Sequence, residues 1–174
     1  MVKFGILSDT LITSEDSITY QRSILSQISS AFKDVDEIIH AGNIIEPEFL
    51  KLLKSIAPIR CVKGDLDQIM ELKEFLKIPA GDYNLGVIHK KPENLEVFYK
   101  QNNLHILIFG HTRQALIEGT SFNTLLINPG SPTKPIAPPA KKGFEKPLAR
   151  PSVITLSIDE NNILSTFIIN LKNK

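Results

Sequence analysis

Six apolar runs in this chain stop on polar side chains able to hold a metal ion or move a proton. "FGILSDT" stops on Asp9, "EIIHAGN" on Asn43, "IRCVKGDLD" on Asp65 and Asp67, "LGVIH" on His89, "ILIFGHTR" on His111, and "LLINPGS" on Asn128. Asp9, Asn43, Asp65, His89 and His111 offer carboxylate, amide and imidazole donors, a set that suits Zn, Mn or Fe. Each alone has a plainer role. Asp9 or Asn43 would cap a turn or helix, and His89 would be a hydrogen-bonded core histidine. Five donors delivered in order from five strand ends are harder to explain that way. Arg113 stands two residues after His111, so both side chains can project to one side, and a guanidinium is an awkward neighbour for a cation.

Donors spread this widely along a chain meet only if regular elements bring their ends together. Apolar runs bounded by turn residues predict strands at 2–8, 36–40, 59–63, 83–89, 104–109, 125–128, 152–157 and 163–170, with shorter ones at 75–78 and 115–118. Ile18, Leu25, Ile28 and Phe32 lie along one helix face, with Ser14 or Asp16 as its cap. A second helix starts at Pro47 and carries Leu50, Leu53 and Lys54, and a third covers 92–101. The order βαβαβ followed mostly by strands predicts a parallel core extended by antiparallel strands, an α/β sandwich in one domain, 1–174. In open α/β sheets the functional crevice lies beyond the carboxyl ends of the strands, where the donors fall. Gly42, Gly64 and Gly110 would let the backbone turn sharply just before them.

Taken in order, "SDT", "AGN", "KGDLD", "VIH", "GHTR" and "NPGS" resemble the blocks of the calcineurin-like metallophosphoesterases across nearly the whole chain. The most similar branch contains small bacterial and archaeal phosphodiesterases and the vacuolar protein sorting 29 subunit of retromer. Gly42-Asn43 and Gly64-Asp65-Leu66-Asp67 lean toward that subunit. The resemblance implies a two-sheet α/β sandwich, mixed parallel and antiparallel and flanked by helices, with a two-metal site at the strand ends. Against that pattern this chain has losses. The first block of active relatives reads Asp-x-His, and here it is Asp9-Thr10-Leu11. The bridging Asp is Asn43, the last histidine of the first metal is Arg113, and the usual His-Gly-His is His89-Lys90-Lys91. His89 and His111 match the two histidines of the second metal. Two divalent ions against Asp9, Asp65 and a guanidinium would repel by several kcal/mol at about 4 Å in a partly desolvated site. The expectation is one divalent metal rather than two, with Arg113 contacting Asp9 or a phosphate oxygen.

Composition sets the remaining limits. Hydrophobic content of 42%, charged content of 22% and a net charge of +1 describe an ordinary globular chain, and the total gives no sign of a nucleic-acid-binding or membrane-binding surface. The opening run is too short for a signal peptide or a membrane span, and the single Cys61 fits a reducing compartment, so a cytoplasmic protein without direct membrane insertion is expected. Leu11, Ile12, Ile44, Ile45 and Leu66 follow the donors, with Ile69 and Met70 beside Asp67. An apolar rim on strand-end loops predicts a protein interface, and the resemblance implies a helical-repeat partner. Segment 132–151 has six prolines, five basic residues and one acid, and is expected to form an extended loop. Together these features predict a catalytically degenerate metallophosphoesterase-fold protein acting as a protein-binding scaffold. The alternative is a one-metal phosphoesterase acting on phosphodiesters or phosphomonoesters.

Overall fold

Strand β1 (Val2–Leu7) sends Phe4 and Ile6 into one apolar layer and Leu7 into another, so it is buried on both faces. It pairs in parallel with β2 (Glu37–His40), which pairs in parallel with β3 (Ile59–Cys61). Two later strands, β9 (Ser152–Ile158) and β10 (Leu164–Asn170), add antiparallel to give the sheet order β10-β9-β1-β2-β3. A second sheet contains β4 (Phe75–Ala80), β5 (Tyr83–Ile88), β6 (Ile106–Phe109), β7 (Ala115–Gly119) and β8 (Leu125–Pro129) in the order β4-β5-β6-β8-β7. It is parallel through β5, β6 and β8 and antiparallel at both edges. This is a computed structural model, and it describes residues 1–69 and 71–172. Met70, expected beside Asp67, lies outside the described residues.

Ile6, Ile39, Leu85, Val87, Ile108 and Leu156 fill the space between the sheets. Helices α1 (Ile18–Ala31) and α2 (Pro47–Lys54) cover the outer face of the first sheet with Ile24, Ile28, Phe49 and Leu53. Helix α3 (Leu95–Asn102) covers the second through Tyr99, against Leu107 and Phe109. The result is the expected two-sheet α/β sandwich, with the expected strands in place to within a few residues at their ends.

Two local expectations need correction. Ser17, not Ser14 or Asp16, caps α1, its hydroxyl accepting from Tyr20 N at 3.2 Å. Asp16 instead turns back to accept from Thr13 N at 2.9 Å, a local bond that competes with capping. Ile18 is then 68% exposed, and Ile24 joins Ile28 on the buried stripe. Helix α3 starts at Leu95 because Asn94 caps it, accepting from Val97 N at 3.1 Å. Segment 132–151 contains neither helix nor strand, and no helix among the described residues is long and apolar enough to cross a membrane.

At the end of β2 the fold buries His40 completely. Its Nδ1 accepts from Gly42 N at 3.1 Å, so Nε2 carries the proton and faces Thr10 Oγ1 at 3.3 Å. Burial lowers its pKa to about 3, against an opposing pull from Asp67. The unfolded chain takes up that proton near pH 6.5 and the folded chain does not, so stability falls as pH drops below the unfolded value. Between pH 7 and pH 5 this group alone should cost roughly 2 kcal/mol. Thermal melts of wild type and His40→Asn across that range should show a shallower pH slope in the variant. Parallel slopes would mean that other groups set the acid sensitivity.

Candidate metal centre

Asp65, His89 and His111 each present a ligand atom, and the three atoms lie within 4.8 Å of one another. They come from different places: Asp65 from the loop after β3, His89 from the end of β5, and His111 from the loop after β6. His89 Nδ1 lies 2.7 Å from the carbonyl of Ala41, an acceptor, so Nδ1 carries the proton. That leaves Nε2 as a bare lone pair, buried and without a hydrogen-bond partner. It points at Asp65 Oδ2, 3.7 Å away, which His111 Nδ1 approaches to 3.0 Å. A buried imidazole lone pair beside a carboxylate and a second imidazole is the donor set of a divalent ion, and a backbone carbonyl fixing the far nitrogen is the support such a ligand needs. Lys90 Nζ holds the other oxygen, Asp65 Oδ1, at 2.8 Å. Burial disfavours the Asp65 charge, but the Lys90 bond, together with the positive charge that His89, Lys90 and His111 bear at the low pH where a carboxyl titrates, outweighs it and keeps this carboxyl below its ordinary range.

Asp9 and Asn43 sit in the same cluster but face each other. Asp9 Oδ1 accepts from Asn43 Nδ2 at 2.9 Å. Asp9 Oδ2 accepts from Ser8 Oγ at 2.7 Å and from the backbone N of His111 at 2.9 Å. Asn43 Oδ1 accepts from Leu66 N at 3.0 Å. Both side chains are thus engaged by donors of the chain itself. Asp67, noted in the sequence and given no role, proves to be the anchor of these loops. Its two oxygens accept from the backbone N of Gly64, Asn43, Ile44 and Ile45 at 2.7–3.0 Å. Burial works against its charge, but the backbone donors, with His40 behind them, hold the carboxyl below its usual value. Asn128 ties down the His111 loop, donating to Gly110 O at 2.9 Å and to Thr112 Oγ1 at 3.0 Å. The signal for Asp67 was present in Gly64-Asp65-Leu66-Asp67, and that for Lys90 in the replacement of the usual glycine.

The backbone around the cluster is strained in a repeated way. Asp9, Leu11, Asn43, Ile45, His111 and Arg113 all have positive φ, between 48° and 67°. For β-branched Ile45 this is a true outlier, and such residues gather at functional sites. Of the three glycines expected to turn the chain, only Gly42 has positive φ, at 92°. Gly64 and Gly110 are needed for closeness instead: a Cβ on Gly110 would overlap the Ser8 hydroxyl, and one on Gly64 would overlap Asn43.

Two further expectations need correction, the Asp9 contact of Arg113 and the exposed apolar rim. Arg113 forms no ion pair with Asp9 or with any other carboxylate among the described residues; its backbone O accepts from Ile136 N at 2.9 Å. Asp9, 1% exposed, already has its oxygens satisfied by three neutral donors, so bringing a guanidinium in would add desolvation cost for little gain. The apolar rim is largely core. Leu11, Ile12 and Ile44 are 7%, 1% and 0% exposed, Ile45 is half-buried, and only Leu66 stands out at 54%. Ile12 packs with Leu7, Phe49 and Leu53, because the loop after β1 folds back under the helices.

Comparison with known proteins agrees with this geometry. Residues 2–160 match the calcineurin-like phosphoesterase superfamily domain. The chain is 31% identical over 163 residues to a protein of Methanothermobacter thermautotrophicus named as a probable metallophosphoesterase, covering 89% of this chain and 85% of that one. A probable metallophosphoesterase of Methanocaldococcus jannaschii is 35% identical over 144 residues, covering 77% and 70%. Among solved structures, an archaeal phosphodiesterase superposes with a TM-score of 0.70 at 20% identity, covering 97% of this chain and 100% of that one. Wild-type Vps29 of Entamoeba histolytica in complex with Zn superposes with a TM-score of 0.67 at 19% identity, covering 97% and 99%. At such identities the superpositions speak for the fold alone.

The burial pattern predicts opposite results at two neighbouring apolar residues. Ile44→Asp should lower the melting temperature by many degrees, since it forces a charge into the core, while Leu66→Asp should leave it within a degree or two. Equal, small shifts would return Ile44 to the surface. Asn43→Asp tests the state of the first ligand pair. It replaces a hydrogen bond to Asp9 with a carboxylate pair, so in chelator the variant should lose about 1–3 kcal/mol. Added Mn²⁺ should recover more of the melting temperature in the variant than it adds in wild type. A variant as stable as wild type in chelator would show that Asp9 does not depend on the amide.

Proposed function

This chain belongs to the calcineurin-like phosphoesterase superfamily, and we propose that it is a catalytically degenerate member, holding one divalent ion and acting as a binding protein. Asp65, His89 and His111 would hold the ion, of the Zn, Mn or Fe type, with Lys90 bracing Asp65 from behind. Bound there, it would supply Lewis-acid polarisation of a phosphoryl oxygen. The observation that carries the reading is the asymmetry between the two halves of the cluster. His89 Nε2 has no partner, whereas the Asp9 carboxylate is saturated by Ser8, Asn43 and the His111 backbone. A second ion would have to break those bonds, next to the buried alkyl side chain of Leu11 in place of an imidazole. Hydrolysis that needs both ions is therefore lost. The binding role is toward a protein partner of the helical-repeat type, with Leu66 the exposed apolar contact. The unpaired Cys61 supports a reducing, cytoplasmic setting.

A specific feature favours a second reading, a one-metal phosphoesterase. Beside the triad lies a cavity of about 370 Å³ lined by Lys63, Asp65, Glu74, His89 and Lys90, so two lysines stand where a phosphate group would sit. One experiment separates the readings: metal analysis of protein purified without chelator, with an aryl phosphodiester assay in Mn²⁺. Wild type should carry one ion per chain, lost in Asp65→Ala with His89→Ala, and turn over well below about 1 per second. Turnover at or above that rate, abolished by the double variant, would establish the second reading and end the first.

A further inference from the structure

The arm between the end of β8 and the start of β9 combines exposed cations with exposed large apolar side chains. Lys134, Lys141, Lys142, Lys146 and Arg150 are all exposed, and none of them forms an ion pair among the described residues. Glu145 is the one acid in the segment, so its five basic residues leave it strongly positive in a chain whose total is only +1. Phe144 and Leu148, at 78% and 73%, are the most exposed large apolar side chains described in the protein. The tip is a tight turn closed by Phe144 N donating to Lys141 O at 3.2 Å, with Gly143 at φ 85°. That turn places Lys141, Lys142 and Phe144 at one end of the arm. Prolines at 135, 138, 139, 147 and 151 keep the rest extended and unable to donate into a sheet.

The root of the arm is held firmly. Thr133 Oγ1 donates to Thr10 O at 2.7 Å, Ile136 N to Arg113 O at 2.9 Å, and Gln114 Nε2 to Ala137 O at 3.3 Å. The arm thus leaves the body from the loops that carry Asp9 and His111.

From this placement we infer that the arm 138–150 docks the protein reversibly on an anionic phospholipid surface, the lysines meeting headgroup phosphates while Phe144 and Leu148 enter the interface. Unpaired cations are attracted by the negative potential of such a surface, and apolar side chains left in water have burial energy still to gain. Leu148 argues against single-stranded nucleic acid, where an aliphatic side chain offers no ring for a base to stack on. The extended, proline-broken backbone argues against a duplex groove, which takes a helix or a ribbon. Docking through the arm would hold the strand-end loops, and the candidate metal centre with them, toward the membrane.

The test is flotation of the full chain with phosphatidylcholine vesicles, with and without phosphatidylserine, at low and physiological salt. Binding should require phosphatidylserine and weaken with salt. Replacing Lys141, Lys142 and Lys146 by Gln should reduce binding on the order of a hundredfold, at roughly fivefold per lysine. Phe144→Ser with Leu148→Ser should reduce it about tenfold, the charge being unchanged. Both variants should melt as wild type does, since every altered side chain is exposed. Equal binding to neutral vesicles, no binding to either, or binding indifferent to the serine pair would overturn the inference. So would tighter capture by a single-stranded oligonucleotide or by polyglutamate than by the phosphatidylserine vesicles.

Discussion

A carboxylate taken out of water must find its donors inside the protein, and at the carboxyl ends of these sheets that demand organises everything nearby. Asp67 meets it with four backbone N–H groups drawn from two separate loops. The loop after β2 and the loop after β3 are held together through its two oxygens. Asp9 meets the same demand with donors from β1, β2 and β6 loops, so the two sheets are joined across their ends. Without these two acids, the left-handed residues at Asn43, Ile45 and His111 would have little to hold them in unfavourable backbone.

This explains how the loops can keep their shape with Leu11 and Arg113 at two of their positions. In the family pattern the first ion is the charge that Asp9 answers. Here the amide of Asn43 and the hydroxyl of Ser8 do that work with neutral dipoles, and Leu11 closes the space with carbon. The backbone at Leu11 and Arg113 has the same positive φ as at Asp9, Asn43 and His111. The loop conformation is fixed by hydrogen bonds that do not involve the missing imidazoles, so nothing forces it to relax once they are gone.

Much of this was legible in the sequence, for identifiable reasons. Strands buried on both faces, such as β6, print as unbroken apolar runs, so the sheets and the donors at their ends could be read directly. Asp65, His89 and His111 were expected together and lie together. What failed depended on the direction of individual side chains in loops, where no period of 2 or 3.6 constrains them. Ile12 and Ile44 could not be told from surface residues, because loops usually lie outside; both are buried, Ile12 among Phe49 and Leu53 of α2. Arg113 was expected at Asp9 or at a phosphate oxygen, and at Asp9 three neutral donors are already in place. The choice of Ser17 over Asp16 as a cap turned on a competing bond to Thr13, which propensity does not reveal.

The charges around the surviving triad do not cancel, and that imbalance bears on what the centre is for. With a divalent ion in place, Asp65 supplies one negative charge and Lys90 returns a positive one at 2.8 Å, while His89 is neutral by its tautomer. Asp9 is close by, but its field is already turned toward its own donors. A cavity of about 370 Å³ with Lys63 and Lys90 on its wall and a net positive centre is completed by an anion. Glu74 on the same wall sets a limit on how much negative charge that anion brings, since like charges in a partly desolvated space repel. The same electrostatics would serve either role, a ligand that is held or a ligand that is cut. The difference between them would lie at Asp9, whose oxygens already accept from the Asn43 amide, the Ser8 hydroxyl and the His111 backbone.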